Sequence, residues 1–151
     1  MRVDYETLSK SIHALTKGET DHVALMATIA CEVHHCDDRF AWTGFYRVTE
    51  PELLKIGPYQ GGHGCLTIPF SRGVCGAAAR TGNAQRVADV NSFEGHIACA
   101  SSTKSELVLP VWDGAGALIG VFDLDSDLPD AFTPEDEREL SAILASVFQH
   151  V

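Results

Sequence analysis

Residues 105–125 read SELVLPVWD, then Gly114-Ala115-Gly116, then ALIGVFDLD: two apolar runs folded back on Asp113-Gly114-Ala115-Gly116. Bulky and β-branched residues on both sides of an Asp-Gly turn predict an antiparallel hairpin. A lone hairpin is marginal in water, so other elements must extend and cover it. FAWTGFYRV (40–48) supplies a second strand, alternating Phe40, Trp42, Gly44, Tyr46 and Val48 in period two. ELLKIGPYQ (52–60) is its hairpin partner across Thr49-Glu50-Pro51.

Helical patterns flank these hairpins. Residues 4–17 place Leu8, Ile12 and Leu15 at helical spacing, and residues 21–35 place Val23, Ala27, Ala30 and Val33 on one face after Thr20-Asp21. Near the end, Thr133 is a capping residue, Pro134 occupies the first turn, and Glu135 and Asp136 complement the helix dipole. Leu140, Ile143, Leu144 and Val147 form that helix's apolar stripe. Between the hairpins, Gly61-Gly62-His63-Gly64 is a loop and CLTIPF a short strand. GVCGAAARTG is a brief helix stopped by Gly82, and QRVADV ends in a short strand. Residues 89–104 form a long polar loop, of a length that is usually functional or disordered. The order α-α-β-β-β-α-β-β-β-α predicts an α+β fold: one mainly antiparallel sheet of about six strands, its N- and C-terminal helices packed on one face.

The chain's 151 residues amount to one domain, here 1–151, with helices over about 4–35, sheet and loops over about 40–126 and a final helix over about 133–150. Its net charge of −10 argues against nucleic-acid binding, which needs clustered Lys and Arg. No run of about 18 apolar residues is available to span a membrane, and the polar N-terminus is unlike a signal peptide. A cytoplasmic setting is therefore expected, with thiols kept reduced.

In that setting the cysteines at 31, 36, 65, 75 and 99 make a poor structural disulfide framework, being odd in number. They also lack the paired spacing of zinc motifs, so no metal is expected. Neither a dinucleotide fingerprint, a Walker lysine nor a nucleophile-elbow serine is present. Thiol chemistry remains. Cys65 and Cys99 lie at loop edges, and Cys75 falls in the first turn of the short helix, where the dipole favours thiolate. GVCGAAA equally suits a tight helix–sheet contact that admits only small residues. Asp123 and Asp125 share one strand face, where like charges repel unless they bind something, hold a proton or meet solvent as the strand ends. Glu106 begins the strand after the long loop. Trp42 and Tyr46 share a face too, as core or as the wall of a small apolar pocket.

The motifs WTGFY (42–46), GPYQG (57–61), CLTIP (65–69), SRGVCG (71–76), FEGHIAC (93–99), SELVLP (105–110) and VFDLDS (121–126), in this order, resemble the free methionine-(R)-sulfoxide reductases, enzymes built on a GAF domain. The resemblance covers about residues 40–132. It implies thiol-dependent reduction of free methionine-(R)-sulfoxide through a sulfenic acid and an intramolecular disulfide. By the resemblance, Cys99 matches the nucleophile, Cys65 its disulfide partner and Cys75 an additional or alternative redox cysteine. Glu106, Asp123 and Asp125 match the acidic substrate-binding residues, and Trp42 and Tyr46 the aromatic wall. No bound cofactor is implied; the reductant is thioredoxin, fed by NADPH through thioredoxin reductase, and a homodimer is compatible with the family. Ala100 departs from the pattern, which has an aspartate there. Cys31 and Cys36 have no counterpart and are read as structural. The rivals are a metabolite-sensing GAF module and a thiol-based redox sensor without substrate, which would leave the carboxylates idle.

Overall fold

The computed structural model describes residues 3–97 and 101–151. Helix α1 (Tyr5–Thr16) starts at Asp4, whose carboxylate accepts from the Thr7 N–H, and buries Tyr5, Leu8, Ile12 and Thr16. Leu15 faces solvent, contrary to the expected stripe. A step of four from Ile12 reaches Thr16 on the inner side, and the Thr16 hydroxyl satisfies itself on the Ile12 carbonyl at 2.7 Å. Helix α2 (His22–His35), capped by Asp21, turns Leu25, Met26, Ile29, Ala30 and Val33 inward. Val23 and Ala27 of the expected face are exposed instead. The face that carries Leu25, Met26 and Ile29 removes more apolar surface from water, and it wins.

The sheet has six strands: β1 (Trp42–Glu50), β2 (Leu53–Gln60), β3 (Thr67–Pro69), β4 (Gln85–Val87), β5 (Ser105–Trp112) and β6 (Leu118–Ser126). Their spatial order is β3-β2-β1-β6-β5-β4, and every neighbouring pair is antiparallel. The two long hairpins expected from the sequence thus meet through β1 and β6 at the centre. The third strand is shorter than CLTIPF, leaving Cys65 in the loop ahead of it. Helix α3 (Gly73–Thr81) ends at Gly82, whose φ of 71° is the left-handed cap that glycine tolerates best. Helix α4 (Pro134–Phe148) opens on a reciprocal capping box: Thr133 Oγ1 accepts from the Asp136 N–H, and Asp136 Oδ2 accepts from the Thr133 N–H. Its stripe ends on the buried Phe148, with Val147 only half-buried.

The strand alternation divides the interior into two cores. On one face Phe45, Leu107, Leu109, Phe122 and Leu124 meet α1, α2 and α4, as expected for the terminal helices. On the other, Trp42, Tyr46, Val108 and Val121 meet α3 through Val74, Cys75, Ala78 and Ala79. A Cβ on Gly76 would stand 2.8 Å from the Pro69 and Phe70 carbonyl oxygens, so the small-residue reading of GVCGAAA holds. Arg39 ties the helix face together by donating to Asp136 and to the Ala131 carbonyl, while Tyr5 Oη donates to Asp136 at 2.6 Å. Among the described residues, no helix is long and apolar enough to cross a membrane.

Candidate active site

The site lies on the α3 face of the sheet and follows from strand register. With Phe122 and Leu124 in the helix-side core, Asp123 and Asp125 must point to the other side. Asp125 pairs with Glu106 of β5 and with Trp42 of β1, while Asp123 pairs with Val108 and Gly44. A single row, Trp42–Asp125–Glu106, therefore crosses three strands, with Asp123 one row below. Helix α3 brings Cys75 onto the same cluster, its Sγ 4.0 Å from Glu106 Oε2. Asp123 and Asp125 are not fully solvated at a strand end, since the Oδ1 of each is buried and, among the described residues, no donor satisfies it.

Burial is the main force that raises the Glu106, Asp123 and Asp125 carboxyls well above the ordinary carboxylate range. Mutual repulsion adds to it: Asp123 acts on Glu106, Asp125 on Asp123, and Glu106 on Asp125. These groups retain protons that carboxyls in water would lose. The same burial, with Asp123 and Glu106 nearby, pushes the Cys75 thiol well up. This corrects the expectation of an activated Cys75. The dipole of a short helix does not offset full burial beside carboxylates, so Cys75 is held as a thiol.

The cavity is lined by these four residues and by Trp42, Tyr46, His63, Gly64, His96 and Thr103 among others, with free space of about 500 Å³ including its mouth. No lysine or arginine is among the described residues lining it. Trp42 and Tyr46 are both buried and both line it, so the core and wall readings hold together. Trp42 stacks between Tyr46 (5.8 Å between centroids) and Tyr59 (5.3 Å), and its Nε1 donates to the Gly62 carbonyl at 2.8 Å. Gly44 makes the stack possible: a Cβ there would stand 2.4 Å from Tyr59 Cβ and 2.6 Å from Trp42 Cη2.

Cys65 is half-buried beside the cavity-lining Gly64. Cys99 and Ala100 lie outside the described residues. Cys31, in the C-terminal half of α2, and Cys36, its C-cap, are half-buried and do not line the cavity, and burial pushes the Cys36 thiol up to about 11. His63, Gly64, His96 and Thr103 were not singled out from the sequence; the signals for them were the glycine-rich loop and the long polar loop. The loop bearing His96 is pinned to α3 where the Gly73 N–H donates to the Gly95 carbonyl at 2.9 Å. Burial lowers the His96 pKa, which favours a neutral imidazole.

A buried acidic cluster without a cationic side chain, bounded by stacked aromatics, is complementary to a small cation with an apolar tail. Known proteins have matching chains. The sequence profile of the GAF domain matches residues 17–149. The free methionine-R-sulfoxide reductase of Escherichia coli is 39% identical over 143 residues, which cover 95% of this chain and 86% of that one. A reduced-form structure of the enzyme from Staphylococcus aureus superposes with a TM-score of 0.93 at 35% identity, covering 98% of this chain and 95% of the other. The Neisseria meningitidis free methionine-R-sulfoxide reductase, solved with its substrate, gives a TM-score of 0.88 at 36% identity, covering 96% and 86%.

Proposed function

The chain belongs to the free methionine-R-sulfoxide reductases of the GAF domain family, and we propose that it reduces free L-methionine-(R)-sulfoxide to methionine in the Trp42–Asp125–Glu106 pocket. The observation that carries this reading is the cluster of buried Glu106 and Asp123 with half-buried Asp125, without Lys or Arg among the described lining residues, against the Trp42–Tyr46 stack. A free amino acid brings an α-ammonium that an ionised member of the cluster can pair with; the same residue inside a peptide does not. The methyl end of the substrate has the aromatic wall to rest on.

The chemistry also needs a proton. A sulfoxide sulfur is a poor electrophile until its oxygen is protonated, and a carboxyl that keeps its proton near neutral pH is a suitable donor. With that proton delivered, the Cys99 thiolate attacks sulfur. Methionine leaves, and the sulfoxide oxygen remains on Cys99 as sulfenic acid. The Cys65 thiol condenses with the sulfenic acid, releasing water and forming a disulfide. Thioredoxin dithiol then reopens it by exchange, drawing on NADPH through thioredoxin reductase. No bound cofactor takes part. The buried, protonated Cys75 favours Cys65 over Cys75 as the partner of Cys99.

The test is NADPH oxidation coupled through thioredoxin reductase and thioredoxin, with each sulfoxide epimer in turn. Turnover with the R epimer alone is expected, and none above background with either would overturn the assignment.

A further inference from the structure

The sulfoxide chemistry leaves one feature of the pocket unused. Cys75 Sγ and one carboxylate oxygen each of Glu106 and Asp123 lie within 4.8 Å of one another, and all three residues are buried. Asp123, 4% exposed, lines this cavity and has a buried Oδ1 without a hydrogen-bond partner among the described residues. The three groups come from α3, β5 and β6, so no sequence motif announces them. One cysteine sulfur, once deprotonated, with two carboxylate oxygens and a side toward the cavity, is a donor set that suits a zinc site with a free position. Magnesium and calcium favour all-oxygen shells of six or more ligands, which this sulfur-containing triad does not supply. His63 and His96 line the same cavity without belonging to the triad.

We propose that, in the reduced protein, Cys75, Glu106 and Asp123 form a divalent-cation site of zinc type, and that zinc held there competes with substrate for the pocket. Coordination releases to solvent the thiol proton and the protons held on Glu106 and Asp123, and it leaves the metal divalent, so no electron moves. The binding half stands on the triad alone; the competition half rests on the reading of the pocket as the sulfoxide site.

Cobalt chloride is titrated into the reduced protein without substrate or thioredoxin. Near-ultraviolet thiolate-to-cobalt charge transfer is expected, and zinc chloride should abolish it by displacement. Cys75→Ser should remove the band, Cys31→Ser and Cys36→Ser should keep it, and Asp123→Asn should weaken zinc binding by about 10-fold or more. A band that survives Cys75→Ser, or a wild-type protein that takes up neither metal, overturns the site. In a single turnover without thioredoxin, zinc should raise the sulfoxide concentration needed for methionine release; bound zinc with no such competition overturns the second half. Cobalt binding is read without catalysis, so its failure and a failure of the reductase reading are separate results.

Discussion

Glu106 of β5 and Asp125 of β6 are direct cross-strand partners, and Asp125 is also paired across to Trp42 of β1. Like charges facing each other across a sheet are unfavourable, and here Glu106 is buried and Asp125 half-buried with its Oδ1 shielded. The arrangement costs stability in the empty protein, which a bound cation or a retained proton offsets. Activity and stability should therefore pull in opposite directions at these positions.

The first expected outcome concerns pH. The folded-state pKa values of Glu106, Asp123 and Asp125 are raised, so the folded state holds protons that the unfolded chain has lost above about pH 4. Their contribution to stability is fully present below that pH and is lost as pH rises through the folded values. Glu106→Gln should flatten this loss and gain about 1 kcal/mol at neutral pH, while substrate turnover collapses. Urea unfolding across pH measures it; a variant less stable than wild type at every pH would contradict the account.

Asp136 behaves in the opposite sense. Burial alone would raise its carboxyl, yet hydrogen bonds from Arg39, Tyr5 and the Thr133 backbone hold it below the ordinary range. Its stabilising effect is present above the unfolded value and is lost as pH falls through the folded one. Asp136→Ala leaves Arg39 with Asp37 as its remaining carboxylate and Tyr5 without its acceptor, and should destabilise by about 1–3 kcal/mol. Because the pair lies on the helix side of the sheet, the folded fraction should keep wild-type kcat. Calorimetry and initial rates test the two halves.

Gly64→Ala probes the wall. The added Cβ would meet Trp42 Cζ2 and Tyr46 Oη, each at 2.9 Å, and neither ring can move far within its stack. KM should rise about tenfold, equivalent to about 1.4 kcal/mol, with the far-ultraviolet circular dichroism unchanged. An unaltered KM would remove the stack from the substrate's path.

Cys75→Ser should still release one methionine per reduced enzyme, because the buried thiol is held protonated. Cys99→Ser should release none. Mass spectrometry after native iodoacetamide treatment should also find Cys75 unmodified until the protein is unfolded. Fast alkylation of Cys75 in the native protein would contradict its burial.

Much of this was legible in the sequence, for reasons particular residues make plain. The period of two in VFDLDSD places Asp123 and Asp125 on one side whatever else the strand does, and the Asp-Gly turn joins β5 to β6. The face of a short amphipathic helix was harder to read. Leu15 and Val23 fit a helical spacing, but larger or better-placed neighbours take the core. Cys75 misled because its place in a helix is local information, whereas its burial against Glu106 and Asp123 depends on how α3 crosses the sheet. His63, Gly64, His96 and Thr103 sit in loops, which carry no periodicity to read.

The central claim is that the acidic cluster recognises the α-ammonium of a free amino acid. Single-turnover methionine release by the reduced protein should be compared for free L-methionine-(R)-sulfoxide and its N-acetyl derivative. Loss of a buried charge partner predicts kcat/KM lower by about a hundredfold for the acetylated compound. Equal reduction of the two would contradict it.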